Sequence, residues 1–368
     1  MARHFVTISF ICIGICFGIV TDAWAQKVGA IFVAIKGPAA KSVKTNKSEI
    51  SRGEILTFRE VDGSKFLVTY LNGNEVSRGS ISRSDVIPFA DAINFFTDDI
   101  QRKPTAENYC IRGTIWRLKR EYDIAIGDYN DGIRLDAHYQ PNFSGRAEAW
   151  IAKRQFDKAA ADYNEAIRLN PRDPRAYFGR GYARECMFDD DHAIHDFSVA
   201  AQLDPHDYAA FHHRAYVYMH KHDNTSAIFD FTQAIAVKPN GDSYFQRGCL
   251  FLQNKAYDRA LADFDAVIRI DPKFAFAYRL SASIRATCSD AKLRDGKKAI
   301  KDATKACELT DWKDSEYLDV LAAACAEAGD FDAAIKWEQK AMDGPSADRP
   351  TYEKRLDTYK DHKTLRLE

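Results

Sequence analysis

A net charge is the first thing this chain lacks: 53 acidic side chains are set against 52 basic ones over 368 residues. A surface that tracks DNA or RNA carries a basic excess or a basic block, so no nucleic-acid partner is expected. Long apolar runs are missing beyond the first 25 residues, and a spanning helix needs about 20 apolar residues; no membrane span is expected in the processed chain. A Gly-rich phosphate loop, a GxSxG elbow, an HExxH helix and paired-cysteine zinc spacing are also missing. With them go the recurrent ways of cradling phosphate, exposing a serine nucleophile or holding zinc. The expectation is therefore a non-enzyme, with no catalytic residue, no cofactor and no metal.

What is present begins with a leader. Arg3 and His4 precede a run from Phe5 to Val20 that is apolar apart from Thr7 and Ser9, and Ala23-Trp24-Ala25 gives a small-x-small cleavage site before Gln26. This is the pattern of a secretory signal peptide over residues 1–25, and it predicts an exported protein, periplasmic or secreted. Cys12 and Cys16 leave with the leader, and six cysteines remain: Cys110, Cys186, Cys249, Cys288, Cys307 and Cys325. An even number in an oxidising compartment suggests disulfides. The helical pattern described below argues against them, because it puts Cys288 and Cys307 at the ends of two antiparallel helices. Most of a helix length at about 1.5 Å per residue then separates them, beyond the ~7 Å that a bridge spans. Small buried side chains are expected instead.

Residues 26–88 have β texture. Gly53–Val61 and Lys65–Leu71 alternate, and Asp62-Gly63 and Asn72-Gly73 follow them, the strongest short hairpin signal available. Further strands are expected at Val28–Ile35 and Ser77–Ile81. With the closing Arg83-Ser84-Asp85-Val86-Ile87, the segment resembles a bacterial Src-homology-3-like domain. That resemblance implies a small all-β barrel, either a spacer or a binder of cell-wall peptides or proline-rich segments.

From residue 89 one phrase dominates. Arg175 to Pro205 contains an aromatic (Tyr177), a Gly (Gly181), an Ala (Ala193), a second aromatic (Phe197), a small residue (Ala200) and a closing Pro205. Pro171, Pro205 and Pro239 stand 34 residues apart, and Pro272 follows 33 later. A fixed period of this length means stacked helical hairpins. The first-helix aromatics are Tyr109, Phe143, Tyr177, Phe211, Tyr244 and Tyr278, each followed four residues on by Gly113, Ala147, Gly181, Ala215, Gly248 or Ala282. Small residues let helices approach, aromatics fill the space beside them, and proline forbids continuation of the second helix.

In six or seven copies over about 250 residues, this pattern closely resembles the tetratricopeptide repeat. The resemblance implies a mostly α fold: a right-handed α-superhelix, that is, a helical-hairpin solenoid of about seven repeats, preceded by the β-barrel. The expected segments are the leader 1–25, the barrel 26–88, a capping half-repeat 89–105, the array 106–344, and a C-terminal cap and tail 345–368. Thr351–Tyr359 is expected to form a polar capping helix and Lys360–Glu368 a mobile tail.

One departure from the family pattern is regular. Where Leu is usual before the small residue, the chain has Arg112, Arg146, Arg180, Arg214 and Arg247, and sixteen residues later come Asp128, Asp162, Asp196, Asp230 and Asp263. Buried charges are tolerable only when paired and hydrogen-bonded, so an Arg–Asp ladder is predicted. In the sixth repeat Ser281 stands in the Arg position while Asp302 remains; the ladder is expected to stop there.

Seven of the ten histidines lie between His192 and His222. Only His192 and His195 are spaced to chelate together, and a surface role is the simpler reading. Asp189-Asp190-Asp191 reads as a loop and helix-start run. In the family the concave surface is lined by first-helix residues away from the packing positions. Carried over, the partner-binding groove is Glu148, Arg175, Phe178, Tyr182, Glu185, His212, Tyr216, Met219, Phe245 and Arg279. The Lys/Asn set with which chaperone-binding members clamp a terminal carboxylate is replaced by Thr114, Glu148, Tyr182, Tyr216, Cys249, Ser283 and Ala323, so that partner class is not expected. The resemblance implies an exported interaction scaffold binding a peptide or protein in the groove. The alternative is a cell-wall-binding protein in which the barrel carries the affinity for peptidoglycan and the repeats are a stalk.

Overall fold

The computed structural model describes residues 31–34, 55–62, 65–72, 75–82, 86–344 and 349–367. The expected leader at 1–25 lies outside the described residues. The chain divides into two compact units, Met1–Ala149 and Trp150–Glu368.

In the first unit five strands, β1 (Ile31–Ala34), β2 (Ile55–Asp62), β3 (Lys65–Asn72), β4 (Glu75–Ser82) and β5 (Val86–Pro88), form one sheet in the order β4-β3-β2-β1-β5. Every pairing is antiparallel. Asp62 pairs with Lys65 and Asn72 with Glu75, so both predicted hairpins close over two residues. The β2–β3 register shifts between Phe58 and Glu60, the signature of a bulge, which bends and twists a strand locally. Helix α1 (Ala92–Arg102) buries Ala92, Phe96 and Ile100. Phe96 joins Phe89, Ile111 and Ile115 in one apolar cluster, so the half-repeat seals the end of the first hairpin, α2 (Ala106–Leu118) and α3 (Tyr122–Leu135). Helix α4 (Gln140–Ala152) follows and contains the division between the units.

The second unit continues through α5 (Phe156–Leu169), α6 (Pro174–Cys186), α7 (Asp190–Leu203), α8 (Tyr208–His220), α9 (Asn224–Val237), α10 (Gly241–Gln253) and α11 (Tyr257–Ile270). After these come α12 (Ala275–Thr287), α13 (Gly296–Leu309), α14 (Ser315–Glu327), α15 (Phe331–Met342) and α16 (Arg349–Lys360). Consecutive helices pack as hairpins, and α8 also touches α6, as α14 does α12: the first helices form one layer, as in a tetratricopeptide-like solenoid. Side chains of Asp173, Asp207, Asn240 and Asp314 cap α6, α8, α10 and α14 by accepting backbone N–H bonds. Between the two helices of a hairpin the chain turns through one left-handed residue: Arg120, Arg154, Phe188, His222 and Lys255 in the first five, Gly329 in the seventh. The repeat geometry imposes that conformation even where the side chain disfavours it.

The predicted polar helix exists but starts earlier, at Arg349, with Pro350 inside its first turn, where proline gives up no hydrogen bond. The tail expected to be mobile is held. His362 stacks on Phe331 at 5.0 Å and 11°, Arg366 Nη1 meets Glu327 Oε2 at 2.7 Å, and the Leu367 N–H donates to the Thr287 carbonyl at 2.7 Å.

Candidate functional site

The Arg–Asp ladder is the scaffold on which the site is built. Arg112 grips Asp128 with Nε at 2.9 Å and Nη2 at 2.6 Å, and Arg180 grips Asp196 at 2.8 and 2.6 Å. Arg214 grips Asp230 at 2.6 and 2.7 Å, and Arg247 grips Asp263 at 2.8 and 2.7 Å. Each fork is bidentate, the geometry that suits guanidinium to carboxylate. The remaining nitrogen, Nη1, reaches back one helix pair: to Thr97 from Arg112, Asn130 from Arg146, Asn164 from Arg180, Ser198 from Arg214 and Thr232 from Arg247. Arg112, Arg180, Arg214 and Arg247 thus each tie their own hairpin together and staple it to the helix before.

The ladder does not stop at the sixth repeat. Arg285, one turn beyond Ser281, puts Nη1 3.3 Å from Asp302 and Nη2 2.8 Å from Asp265. Asp265 stands where Asn164, Ser198 and Thr232 stand in their repeats, two residues after the ladder aspartate. Positions four apart share a helix face, so an arginine displaced by one turn performs both tasks. Burial pushes the Asp302 carboxyl up, and Arg285 opposes that.

A second substitution pattern aims the rings. A Cβ on Gly179 would fall within the ring of Tyr163, and one on Gly145 within that of Tyr129. In the next hairpin the second-helix aromatic is Phe197, shorter by a hydroxyl, and His213 takes the glycine position, 5.8 Å from that ring. His213 went unnoticed in the sequence among its six neighbouring histidines, although its signal was there: Gly145, Gly179 and His213 occur at one 34-residue spacing.

Around His213 the structure assembles several of the predicted groove residues. Phe178 and Tyr182 present edges to it at 5.3 and 5.5 Å, and Glu185 accepts at 2.9 Å from its Nδ1. His212 lies 2.8 Å from Ser243 Oγ and 3.1 Å from Asp242, and Tyr216 donates to Asp242 at 2.8 Å. Burial opposes ionisation of Asp242, but bonds from His212 and Tyr216 outweigh it and hold the carboxyl below its usual range. Met219 packs beside Tyr216 and Phe231. Further on, Phe245 sits against Phe274 at 5.1 Å and Phe276 at 5.6 Å, and the Arg279 guanidinium lies 4.3 Å over Phe276 and 3.3 Å from Glu316.

Two predicted residues stand apart. Glu148 pairs with Arg117 at 2.8 Å in the first unit, and Arg175 extends into solvent, 76% exposed. The remaining eight line the first-helix layer as five half-buried rings, one half-buried methionine and two paired charges. Asp242 and Ser243, absent from the sequence-derived set, anchor that layer from α10.

The thiols near this layer are held neutral: burial pushes Cys249 up to about 12 and raises Cys186. Burial also raises Tyr182 and Tyr216. His192 turns to Asp189 at 2.7 Å, and among the described residues no group of His, Cys, Asp and Glu is placed to hold a metal ion. No helix among them is long and apolar enough to cross a membrane.

Two segments match family models: residues 149–185 the one described as TPR repeat and residues 212–273 the one described as Tetratricopeptide repeat. Tetratricopeptide repeats are therefore recognised in this chain, as the 34-residue phrase implied. No curated protein matches it. Among solved structures it is similar to YrrB, a TPR protein with an unusual peptide-binding site, at 18% identity over 50% of this chain and 95% of that one, with a TM-score of 0.44. It is also similar to a tetratricopeptide repeat protein from Parabacteroides merdae ATCC 43184, at 12% identity over 69% of this chain and 98% of that one, with a TM-score of 0.44.

Proposed function

We propose that this chain is an exported, non-enzymatic scaffold that holds a peptide or protein partner along the first-helix layer of its repeats. The observation that carries this reading is the series of half-buried rings Phe178, Tyr182, His212, Tyr216 and Phe245, held by contacts to His213, to each other at His212–Tyr216, and to Phe274 and Phe276. A preset aromatic surface binds with little ordering cost, and Tyr and Arg anchors dominate interface energetics. In this reading Arg279 and Glu185 give direction at the two ends, and the five-stranded sheet is a Src-homology-3-like domain that docks or spaces the array.

A photo-crosslinking amino acid placed singly at Tyr182, Tyr216 or the exposed Arg168 of the full chain, in its own cells, tests this. The same protein adduct is expected from positions 182 and 216 and none from 168. No adduct at any position, or equal adducts at all three, overturns the proposal. Export is checked by sequencing the N-terminus of the mature protein, with Gln26 expected.

A second reading gives the antiparallel sheet the affinity for cell-wall material and leaves the repeats as a stalk. That reading predicts co-sedimentation of the full chain with peptidoglycan, unchanged by Tyr182→Ala with Tyr216→Ala.

A further inference from the structure

Beyond α16 the chain reverses and crosses the repeats again. His362, at φ 57° in the left-handed region like the hairpin-turn residues, directs its N–H to the Tyr359 carbonyl at 2.9 Å, and the Lys363 N–H follows with a bond to the Thr358 carbonyl at 3.0 Å. Residues 363–367 then run without regular structure over three first helices. Leu365 packs on the apolar cluster of the last repeats. Arg366 meets Glu327, the last residue of α14, which Arg294 from the sixth-repeat insertion also holds at 2.9 Å. The Leu367 N–H satisfies the carbonyl of Thr287, the last residue of α12, one of the helix-end acceptors that lack an intrahelical donor. Its side chain borders a cavity of about 280 Å³ lined by Leu252, Tyr257, Leu280, Ser283 and Ile284.

These contacts alternate. Apolar side chains face the repeats at Leu365 and Leu367, and the cation between them meets a carboxylate at a helix C-terminus, where positive charge is favoured. We infer that the C-terminal ends of α10, α12 and α14 form a binding site for an extended apolar–basic–apolar peptide, and that residues 363–367 are its resident occupant, excluding an outside segment of the same chemistry. The cavity beside Leu367 has room for a larger apolar side chain, so an outside segment can fit better than the resident one. The inference extends the scaffold reading but uses none of the residues tested for it. Crosslinks at 182 and 216 can therefore fail while this site stands, and the reverse.

A fluorescent peptide of residues 361–367 is the probe, read by anisotropy against three full-length proteins and one shortened one. The chain lacking 361–368 should bind it at least about tenfold more tightly than the parent, because a tethered segment competes at high effective concentration. Full-length Arg366→Glu and Leu367→Asp, which release the segment without removing it, should gain binding in the same direction. A peptide with Glu in place of its Arg should lose it. If the shortened chain and both full-length variants bind no better than the parent, the inference is wrong. It is also wrong if the Glu-bearing peptide binds as well as the original.

Discussion

The two stretches α6–α11 and α14–α16 meet the same problem, buried carboxylates between helices, and solve it differently. In the first, Asp196, Asp230 and Asp263, all at most 3% exposed, each receive a complete guanidinium fork. In the second, Asp319 and Glu338 lie 9% and 0% exposed with one arginine, Arg355, which pairs with Asp319. Neither oxygen of Glu338 is met by a donor. Burial and the adjacent Asp319 push Glu338 up to about 9, against the opposing charge of Arg355. Asp319 is raised too, by burial, with Arg355 and Arg279 opposing. Both causes favour the protonated form of the pair. The central carboxylates are thus each stapled by a guanidinium, while the terminal repeat and the capping helix meet at a carboxylate pair whose protonated form burial favours.

Removing one member of the central ladder should have the largest effect. Arg214→Leu strands Asp230 and should cost about 3–5 kcal/mol, while Arg214→Leu with Asp230→Leu should recover much of that. Strictly additive effects in urea unfolding would refute the pairing. Arg180→Leu should cost less than Arg214→Leu, because Arg184 also meets Asp196, at 2.7 Å.

The displaced rung comes next. Arg285→Leu leaves Asp302 and Asp265 unpaired apart from Lys298, 3.4 Å from Asp265, and should cost about 2–3 kcal/mol. A loss within error of zero would mean that the ladder ends at Asp263 after all.

Glu338→Gln sharpens the contrast in the opposite direction. Glu338 binds its proton more tightly folded than unfolded, so its contribution is complete below the unfolded value of about 4.5 and is lost as pH rises toward about 9. A neutral amide removes that loss. The variant should be more stable than the parent at alkaline pH by about 2 kcal/mol, with a flatter pH profile. A variant less stable than the parent at all pH values would contradict the upward push on Glu338.

The smallest expected effect belongs to the staple between hairpins. Thr232→Ala removes the acceptor of Arg247 Nη1 and should cost about 1 kcal/mol, read best as faster amide exchange where α9 meets α10.

Much of this was legible in advance. The 34-residue spacing of Pro171, Pro205 and Pro239, and the sixteen residues between each ladder Arg and Asp, hold because every hairpin packs on a near copy of itself. The two Asx-Gly pairs set the β2–β3 and β3–β4 connections for the same local reason. Arg285 was hidden because the insertion before α13 lengthens Ser281 to Asp302 to 21 residues, whereas Arg285 to Asp302 is 17, close to the regular 16. That eight of the ten singled-out residues lie on the first-helix layer was legible by position. That His213, Asp242 and Ser243 would anchor Phe178, Tyr182, His212 and Tyr216 depends on side chains from neighbouring hairpins.

By itself, then, the sequence determined the repeat, its length, its small and large packing positions and the identity of four ladder pairs, Arg112–Asp128, Arg180–Asp196, Arg214–Asp230 and Arg247–Asp263, since these follow from spacing along the chain. Only the tertiary structure decided which helix ends lie within reach of Arg366 and Leu367, and which two carboxylates, Asp319 and Glu338, are buried with one arginine, Arg355. Those depend on distances between segments far apart in the chain, which no local period encodes.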